Sequence, residues 1–382
     1  MGYKLTRIQS KALKRKFVRL PWKIYRDYPH WVPPLLILER QRISPKHNPF
    51  LKYGKIALFG VLDERGDLAG RIAAILNSEH NRIHKNKEGF FGLFECIEEL
   101  EVAKLLIDAV YRELRSWGLT DLIGPVNFTT NDESGLLLEG FHEPPSFMTN
   151  YCPPYYHGFF EKMGFLKWED LIAYQWKKGH LFPKRFEAVV ERTSRNSNLN
   201  IRKFRKESFE EDLSSIQRMY NQSFQEVKGF VPLNKDEANE MGKGFKLFAD
   251  YDIILMGEYK SEAVGFCLTL PDMNSILPEL KGRLLPFGFL KLKRRLRKAS
   301  RVRLIVLAVL PGFRNLGIVL LLIRQVVKEA MEKGYQTGEL SVVMESNVKM
   351  KRLIESLGFQ QTKAYRIYIQ KKLQYENTAH QT

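Results

Sequence analysis

The sequence predicts an α/β protein built from two tandem copies of one unit, each a mixed, twisted sheet flanked by helices. Three observations predict it. An apolar strand, a Pro/Gly turn and an amphipathic helix follow one another in Val306-Leu-Ala-Val-Leu-Pro-Gly-Phe-Arg-Asn-Leu-Gly317 and the run from Ile318 to Met331. The order strand, helix, strand, helix, Gly-Phe, strand occurs twice, with Phe160-Glu-Lys-Met-Gly-Phe165 matching Ile354-Glu-Ser-Leu-Gly-Phe359. A chain of 382 residues with 44% hydrophobic content is also long enough for two cores.

Taken in order, residues 1–50 read as a basic and aromatic extension. Its basic amphipathic stretch, Ile8 to Leu20, leads into Pro21-Trp-Lys-Ile-Tyr-Arg-Asp-Tyr-Pro-His-Trp-Val-Pro-Pro34, whose prolines predict an extended segment packed on a domain. The first domain, 51–180, opens with the alternating strands Ile56–Leu62 and Leu68–Leu76, joined by the Glu64-Arg-Gly-Asp67 turn. Strand Phe90–Cys96, helix Val102–Leu114, the first Gly-Phe and strand Asp170–Lys178 complete it. A linker, 181–198, carries a helix from Pro183 to Arg192. The second domain, 199–372, runs through strand Leu199–Phe204, helix Phe209–Phe224, the hairpin Ile253–Tyr259 with Ala263–Leu270, strand Leu304–Leu310, the long helix, strand Thr337–Met344, a short helix and strand Ala364–Gln370. The polar tail, 373–382, is expected to be disordered.

Composition narrows the function classes. Three widely spaced cysteines make neither a disulfide framework nor a Cys/His zinc cluster and point to a reducing cytoplasm. His80 and His84 have no third ligand nearby and read as surface histidines, so no metal is expected. No apolar run reaches the roughly 18 residues a bilayer span needs, and the start lacks a signal-peptide core; Met1-Gly2 with Thr6 fits the short myristoylation pattern, which matches often by chance. The net charge of +18 draws the chain to polyanions. Lys281–Arg303 concentrates ten Lys/Arg and no Asp or Glu behind Leu284-Leu-Pro-Phe-Gly-Phe-Leu290. Apolar residues beside a basic helix suit the inner face of an anionic membrane, with a solvated helix as the plain alternative. Nucleic acid ranks lower, because there is no zinc-finger spacing and no RNP-type aromatic strand.

A helix N-terminus following a tight turn presents unpaired backbone N–H groups and the positive end of the dipole to an anion. The turn here carries Arg314-x-x-Gly317 and is followed by strand Thr337–Met344, then Glu345-Ser-Asn347, a short helix and Leu357-Gly-Phe359. This order and spacing resembles the GNAT acyltransferases, which hold coenzyme A at an Arg/Gln-x-x-Gly-x-Gly/Ala loop. The resemblance covers about residues 199–372 and implies acyl-CoA as co-substrate, with no prosthetic group and an amine as acceptor. It implies CoA contacts from Ala308, Val309, Arg314, Asn315, Leu316, Gly317, Ile318 and Val319, with Ala308 or Val309 as backbone oxyanion donor. Amide formation also needs a base; Glu339 and Glu345 are the candidates, with Glu226 an outsider and Asn347 at the family's Asn position. Two departures stand out. The usual acid Tyr, seven residues after the Asn, is Ile354, leaving Tyr365 or Tyr368 as substitutes, and Val319 replaces the loop's final small residue. The first copy has Glu95 and Glu98-Glu99-Leu-Glu101 where a phosphate loop belongs, so it is expected to shape the cleft or serve structure.

Trp31-Val-Pro-Pro34, Gly70-Arg-Ile-Ala-Ala74, Gly89-Phe-Phe-Gly-Leu-Phe-Glu95, Gly124-Pro-Val-Asn127, Gly229-Phe-Val-Pro232 and Leu285-Pro-Phe-Gly288 are similar to a family of large bacterial GNAT-like proteins that includes bacterial ceramide synthases. That resemblance implies transfer of a long-chain acyl group to a sphingoid-type amine at the membrane. A Fem-type transferase using charged tRNA and a non-catalytic GNAT-fold adaptor are the competing readings.

Overall fold

The computed structural model describes residues 2–246, 248–280, 295–296 and 298–371. Most of the expected membrane segment Lys281–Arg303, and the tail, lie outside the described residues. The chain forms two compact units. The first gathers Met1–Leu171 and Leu277–Leu284 with the chain from Lys363, the second Ile172–Ile276 with Leu285–Thr362.

In the first unit, β1 (Lys4–Arg7), β2 (Lys55–Leu62), β3 (Leu68–Leu76) and β4 (Glu88–Cys96) pair antiparallel in that order, and β5 (Asp121–Gly124) lies parallel to β4. Helices α1 (Lys11–Ile24) and α2 (Leu36–Arg42) fall between β1 and β2, and α3 (Ser78–His84) between β3 and β4. A parallel neighbour requires a crossover. Helix α4 (Leu100–Ser116) supplies it and buries Val102, Leu106, Val110 and Leu114 at four-residue spacing.

The stretch before residue 50 therefore corrects the expectation of an extension: β1 pairs with β2 from Lys4↔Leu62 to Arg7↔Phe59, and α1 buries Phe17, Val18 and Leu20. Pro21 lies inside α1 rather than in an extended segment. Proline has no N–H, so the Phe17 carbonyl loses its donor. The Arg71 guanidinium replaces it, donating from Nη1 at 2.8 Å and stacking over the Phe17 ring at 5.0 Å. His80 is likewise not at the surface. It is 2% exposed, with Nε2 2.7 Å from Glu88 Oε2 and its backbone N–H donating to Asn77 Oδ1, the cap of α3. Among the described residues no His/Cys/Asp/Glu group could hold a metal ion, and no helix is long and apolar enough to cross a membrane.

The rest of the first copy adds β6 (Leu136–Glu139), α5 (Tyr155–Lys162) and β7 (Leu166–Lys177). In the second unit, α6 (Lys184–Ser194) precedes β8 (Leu199–Lys203), α7 (Phe209–Ser223) and α8 (Lys235–Lys246). Strands β8, β9 (Leu255–Tyr259), β10 (Glu262–Pro271) and β11 (Arg301–Val309) pair antiparallel, and β12 (Thr337–Met344) runs parallel to β11. Helix α9 (Ile318–Glu332) makes the crossover, and α10 (Val348–Ser356) follows β12. The two faces of this sheet differ. Ile318 of α9 packs where Gly257 and Gly265 leave room. On the other face, Phe204, Ile254 and Leu270 pack with Phe209 and Ile216 of α7 and Phe245 of α8. Helix α7 is tied to β8 through the fully buried Asp212. Burial alone would raise its carboxyl, but hydrogen bonds from Arg202 and Arg205 outweigh that and bring it down to about 2.

Each sheet is closed by a strand from the other copy. The end of β7, from Ile172, belongs to the second unit beside β12, and Lys178 N–H donates to the Gln336 carbonyl at 2.6 Å. The closing strand β13 (Gln360–Gln370) belongs from Lys363 to the first unit, where it pairs with β5 from Tyr368↔Gly124 to Gln370↔Leu122. Arg366 clamps Asp170 there with two bonds of 2.8 and 2.9 Å. The units thus break at 171/172 and 362/363 rather than at the expected linker.

A Cβ on Gly338 of β12 would stand 2.3 Å from the buried Trp176 indole of β7. Gly338→Val should therefore destabilise by roughly 1–3 kcal/mol, although valine is the better strand residue. Urea denaturation reads this; an unchanged or raised midpoint would contradict the seating of β7 on β12.

Candidate active site

Strands β11 and β12 run together only from Arg301↔Thr337 to Leu304↔Leu340. Beyond that rung both continue, to Val309 and Met344, without pairing with each other. The opposite edge of β11 stays paired with β10, but its register steps from Leu268↔Val306 to Thr269↔Leu304 and skips Ile305. Ile305 is a bulge, and a bulge bends its strand. A gap opens between β11 and β12 as a result.

The edge of β11 facing the gap can be read from its hydrogen bonds. Leu310 N–H donates to the Val264 carbonyl at 2.8 Å. Register partners in an antiparallel pair alternate between bonded and non-bonded. Ala308, opposite Phe266, thus turns its N–H to β10, and Val309, opposite Gly265, turns its N–H to the gap. Of the two sequence candidates for oxyanion donor, Val309 has the required direction.

The turn at the mouth of the gap is a single 3₁₀ segment, Pro311–Leu316, ending at Gly317 with φ +77. Side chains are strained there, and a Cβ on Gly317 would also meet Thr193 of α6 at 2.9 Å. Helix α9 starts at Ile318 with no side-chain cap, and Leu320 N–H bonds back to the Gly317 carbonyl at 3.0 Å. The amides ahead of it form the anion-seeking end that the sequence predicts. Arg314 adds a support. Its Nη2 donates to the Ser223 carbonyl at 2.8 Å and its Nε to the Val309 carbonyl at 3.3 Å. The side chain fastens the turn to the end of α7 and to β11, while Asn315 stays exposed and Ile318 enters the core. The buried Ser223 hydroxyl beside this contact has no hydrogen-bond partner.

At the inner end of the gap lies a polar group of which sequence reasoning had named only Glu339. Arg303 is 4% exposed and Glu339 2% exposed, and they are register partners. Arg303 Nε donates to Ser341 Oγ at 2.8 Å and Nη2 to the Ser341 carbonyl at 3.1 Å; Ser341 Oγ donates to Glu339 Oε1 at 2.6 Å. Arg303 is opposite Leu270, so the group shares the sheet face of α7 and α8. A charged residue between Val302 and Leu304 was the available signal.

The second unit therefore brings Val309, the Arg314–Gly317 turn and Glu339 to one gap. Glu345 is half-buried in the turn after β12, and Glu226 is exposed. Asn347 is exposed and caps α10, accepting from Met350 N–H at 3.3 Å. Ile354 is core. Tyr365 is 1% exposed and belongs to the first unit, opposite Leu137; Tyr368 there contacts His157 Nδ1 at 2.7 Å.

In the first unit β4 and β5 also part early, pairing only from Glu88↔Asp121 to Phe90↔Ile123. Helix α4 begins with Glu99 as N-cap and Glu101 in its first turn. Near the end of β4, Glu95 accepts from Tyr156 Oη at 2.9 Å, with Arg71 Nη2 3.8 Å away. Burial raises the Glu95 carboxyl to about 7 against the opposing pull of Arg71, Tyr25 and Tyr156. The folded state then holds a proton that the unfolded state, near the ordinary 4.5, releases. This contribution to stability is complete below about pH 4.5 and is lost as pH rises through 7. Asp132, also raised by burial to about 7, adds the same slope. Glu95→Gln should accordingly gain roughly 2–3 kcal/mol relative to wild type between pH 5 and pH 8. Denaturation midpoints at the two pH values test it; an equal difference at both would contradict the buried, protonated carboxyl.

Comparison with known proteins agrees with this geometry. The acetyltransferase (GNAT) family model matches residues 213–359, from α7 through α10. Protein YghO of Escherichia coli K12 is 30% identical over 361 residues, covering 93% of this chain and 92% of its own. A bacterial ceramide synthase of Caulobacter vibrioides is 28% identical over 370 residues, 94% of this chain and 95% of its own. Among solved structures, a tandem GNAT protein from the clavulanic acid biosynthesis pathway superposes with a TM-score of 0.57 at 10% identity, covering 97% and 99% of the two chains. A GCN5-related N-acetyltransferase from Sphaerobacter thermophilus gives 0.53 at 11% identity, covering 97% and 96%. The chain belongs to the GNAT acyltransferase family in its tandem-domain form.

Proposed function

We propose that this acyltransferase moves a long-chain acyl group from acyl-CoA to the amine of a sphingoid-type lipid. The observation that carries the donor half is the β11–β12 gap with an uncapped helix end at its mouth and a backbone N–H directed into it. The acceptor half is supported by likeness over 94% of the chain to a protein named as a bacterial ceramide synthase.

In this reading the free amides of Ile318 and Val319 at the start of α9 hold the pyrophosphate, and the pantetheine arm lies along β12. The acceptor amine approaches on the α7–α8 face and gives a proton to Glu339, whose carboxylate Ser341 and Arg303 hold in place. Its lone pair attacks the thioester carbonyl carbon, and the oxyanion meets Val309 N–H. The C–N bond forms, the C–S bond breaks with coenzyme A leaving as thiolate, and the second proton of the former ammonium, still on the new amide nitrogen, is lost to water. A thiol with an ordinary pKa near 8.5 is a workable leaving group near neutrality, so a core Ile354 in place of an acid Tyr does not stop the reaction.

Thermal stabilisation by free CoA, acetyl-CoA and palmitoyl-CoA tests the donor site. A ligand at 100-fold excess over Kd stabilises by about 2.7 kcal/mol. Palmitoyl-CoA should stabilise most, and Gly317→Trp should abolish the effect. Arg314→Ala removes two charge-assisted bonds at about 1.5–3 kcal/mol each and should weaken binding at least tenfold. No stabilisation of the wild type by any CoA species would overturn the reading. Glu339→Gln should leave palmitoyl-CoA binding intact and lower kcat with a sphingoid base by about 10²–10⁴; wild-type kcat in this variant would remove Glu339 from the mechanism.

A further inference from the structure

We infer that α1 and α2 of the first unit form a docking face for an anionic phospholipid bilayer. The inference rests on the lipid-amine reading, which requires the enzyme to work at a surface.

Helix α1 buries Phe17, Val18, Leu20 and Pro21 on one side. On the other it exposes Arg15, Arg19 and Lys23 at four-residue spacing, a single row along the helix. Arg40 of α2 completes the group around a cavity of about 580 Å³ floored by Leu20 and Leu68. Lys16 at the rim is engaged, 3.3 Å from Asp67 and 2.8 Å from the Gly66 carbonyl. Arg15, Arg19, Lys23 and Arg40 have no ion-pair partner among the described residues. Like charges at this spacing repel; Asp67 in the same cavity and Asp63 near Lys23 offset part of that charge, and an entering anion would offset the rest.

The neighbouring apolar residues select the occupant. Ile37 is 49% exposed and Leu38 48% exposed, and Ile37 lies three residues before Arg40, beside it on the surface of α2. Trp22 and Trp31, both half-buried, meet edge to face at 5.4 Å, and Trp31 stacks on the buried Tyr25 at 4.9 Å. Nucleic acid would satisfy the cations and leave the aliphatic residues in water. A bilayer with anionic headgroups satisfies both.

Co-sedimentation of the full chain with vesicles of phosphatidylcholine, alone or mixed with phosphatidylglycerol, is the test. Binding should require phosphatidylglycerol and weaken as salt rises. The triple variant Arg15→Glu, Arg19→Glu, Arg40→Glu should bind mixed vesicles about a hundredfold more weakly. Ile37→Asp with Leu38→Asp should also weaken binding with every cation kept. Palmitoyl-CoA should stabilise both variants as it does the wild type, which separates lost docking from lost folding. If palmitoyl-CoA fails to shift the wild type while mixed vesicles still bind, the donor reading falls and the docking face stands. Equal binding to both vesicle types, full binding by the triple variant, or capture of a short RNA without vesicle binding would overturn the face.

Discussion

Arg303 reaches from β11 to Ser341, one residue past the last rung that β11 shares with β12. That contact fixes where the two strands stop being a sheet. On the other edge of β11 the bulge at Ile305 changes the strand's direction at the same level. A parallel pair that simply frayed would leave backbone groups to water at no defined place. Here the parting is specified from both sides, and the unpaired edge, Val309 N–H included, becomes a fixed feature. Every later element of the donor site depends on that opening.

The two copies show how one architecture can be filled in two ways. Both have a parallel pair that separates early and a crossover helix that starts near the separation. In the second unit that helix opens on a glycine with no side-chain cap, and Arg314 braces the turn through backbone carbonyls. In the first, carboxylates occupy the helix start, and Glu95, Tyr156 and Arg71 fill the space near the end of β4. Carboxylates stabilise a helix N-terminus for the reason they repel a phosphate from it. Arg71 also serves α1, giving the Phe17 carbonyl the donor that Pro21 lacks.

The features legible in the sequence are local ones. A strand, a Gly-containing turn and an apolar helix within about thirty residues specify each other, and the repeated Gly-Phe marked the second copy. The exchange of closing strands was not legible. β7 and β13 are both apolar enough to suit either sheet, and nothing in a strand names its partner. Asn347 matched a family position, yet in the fold it caps α10. Pro21 argued against a helix because a donor from β3 is invisible from α1. His80 looked solvated because its partner, Glu88, lies on β4, beyond the end of α3. For Pro21 and the closing strands the deciding interaction joins residues that no short sequence window connects.

Hydrogen exchange of the whole chain with and without palmitoyl-CoA tests the account most directly. A donor held between the parted strands should concentrate new protection in residues 305–319 and 341–344 and leave the start of α4 in the first unit unchanged. Protection centred on residues 95–103 of the first unit, with 305–319 unaffected, would contradict it.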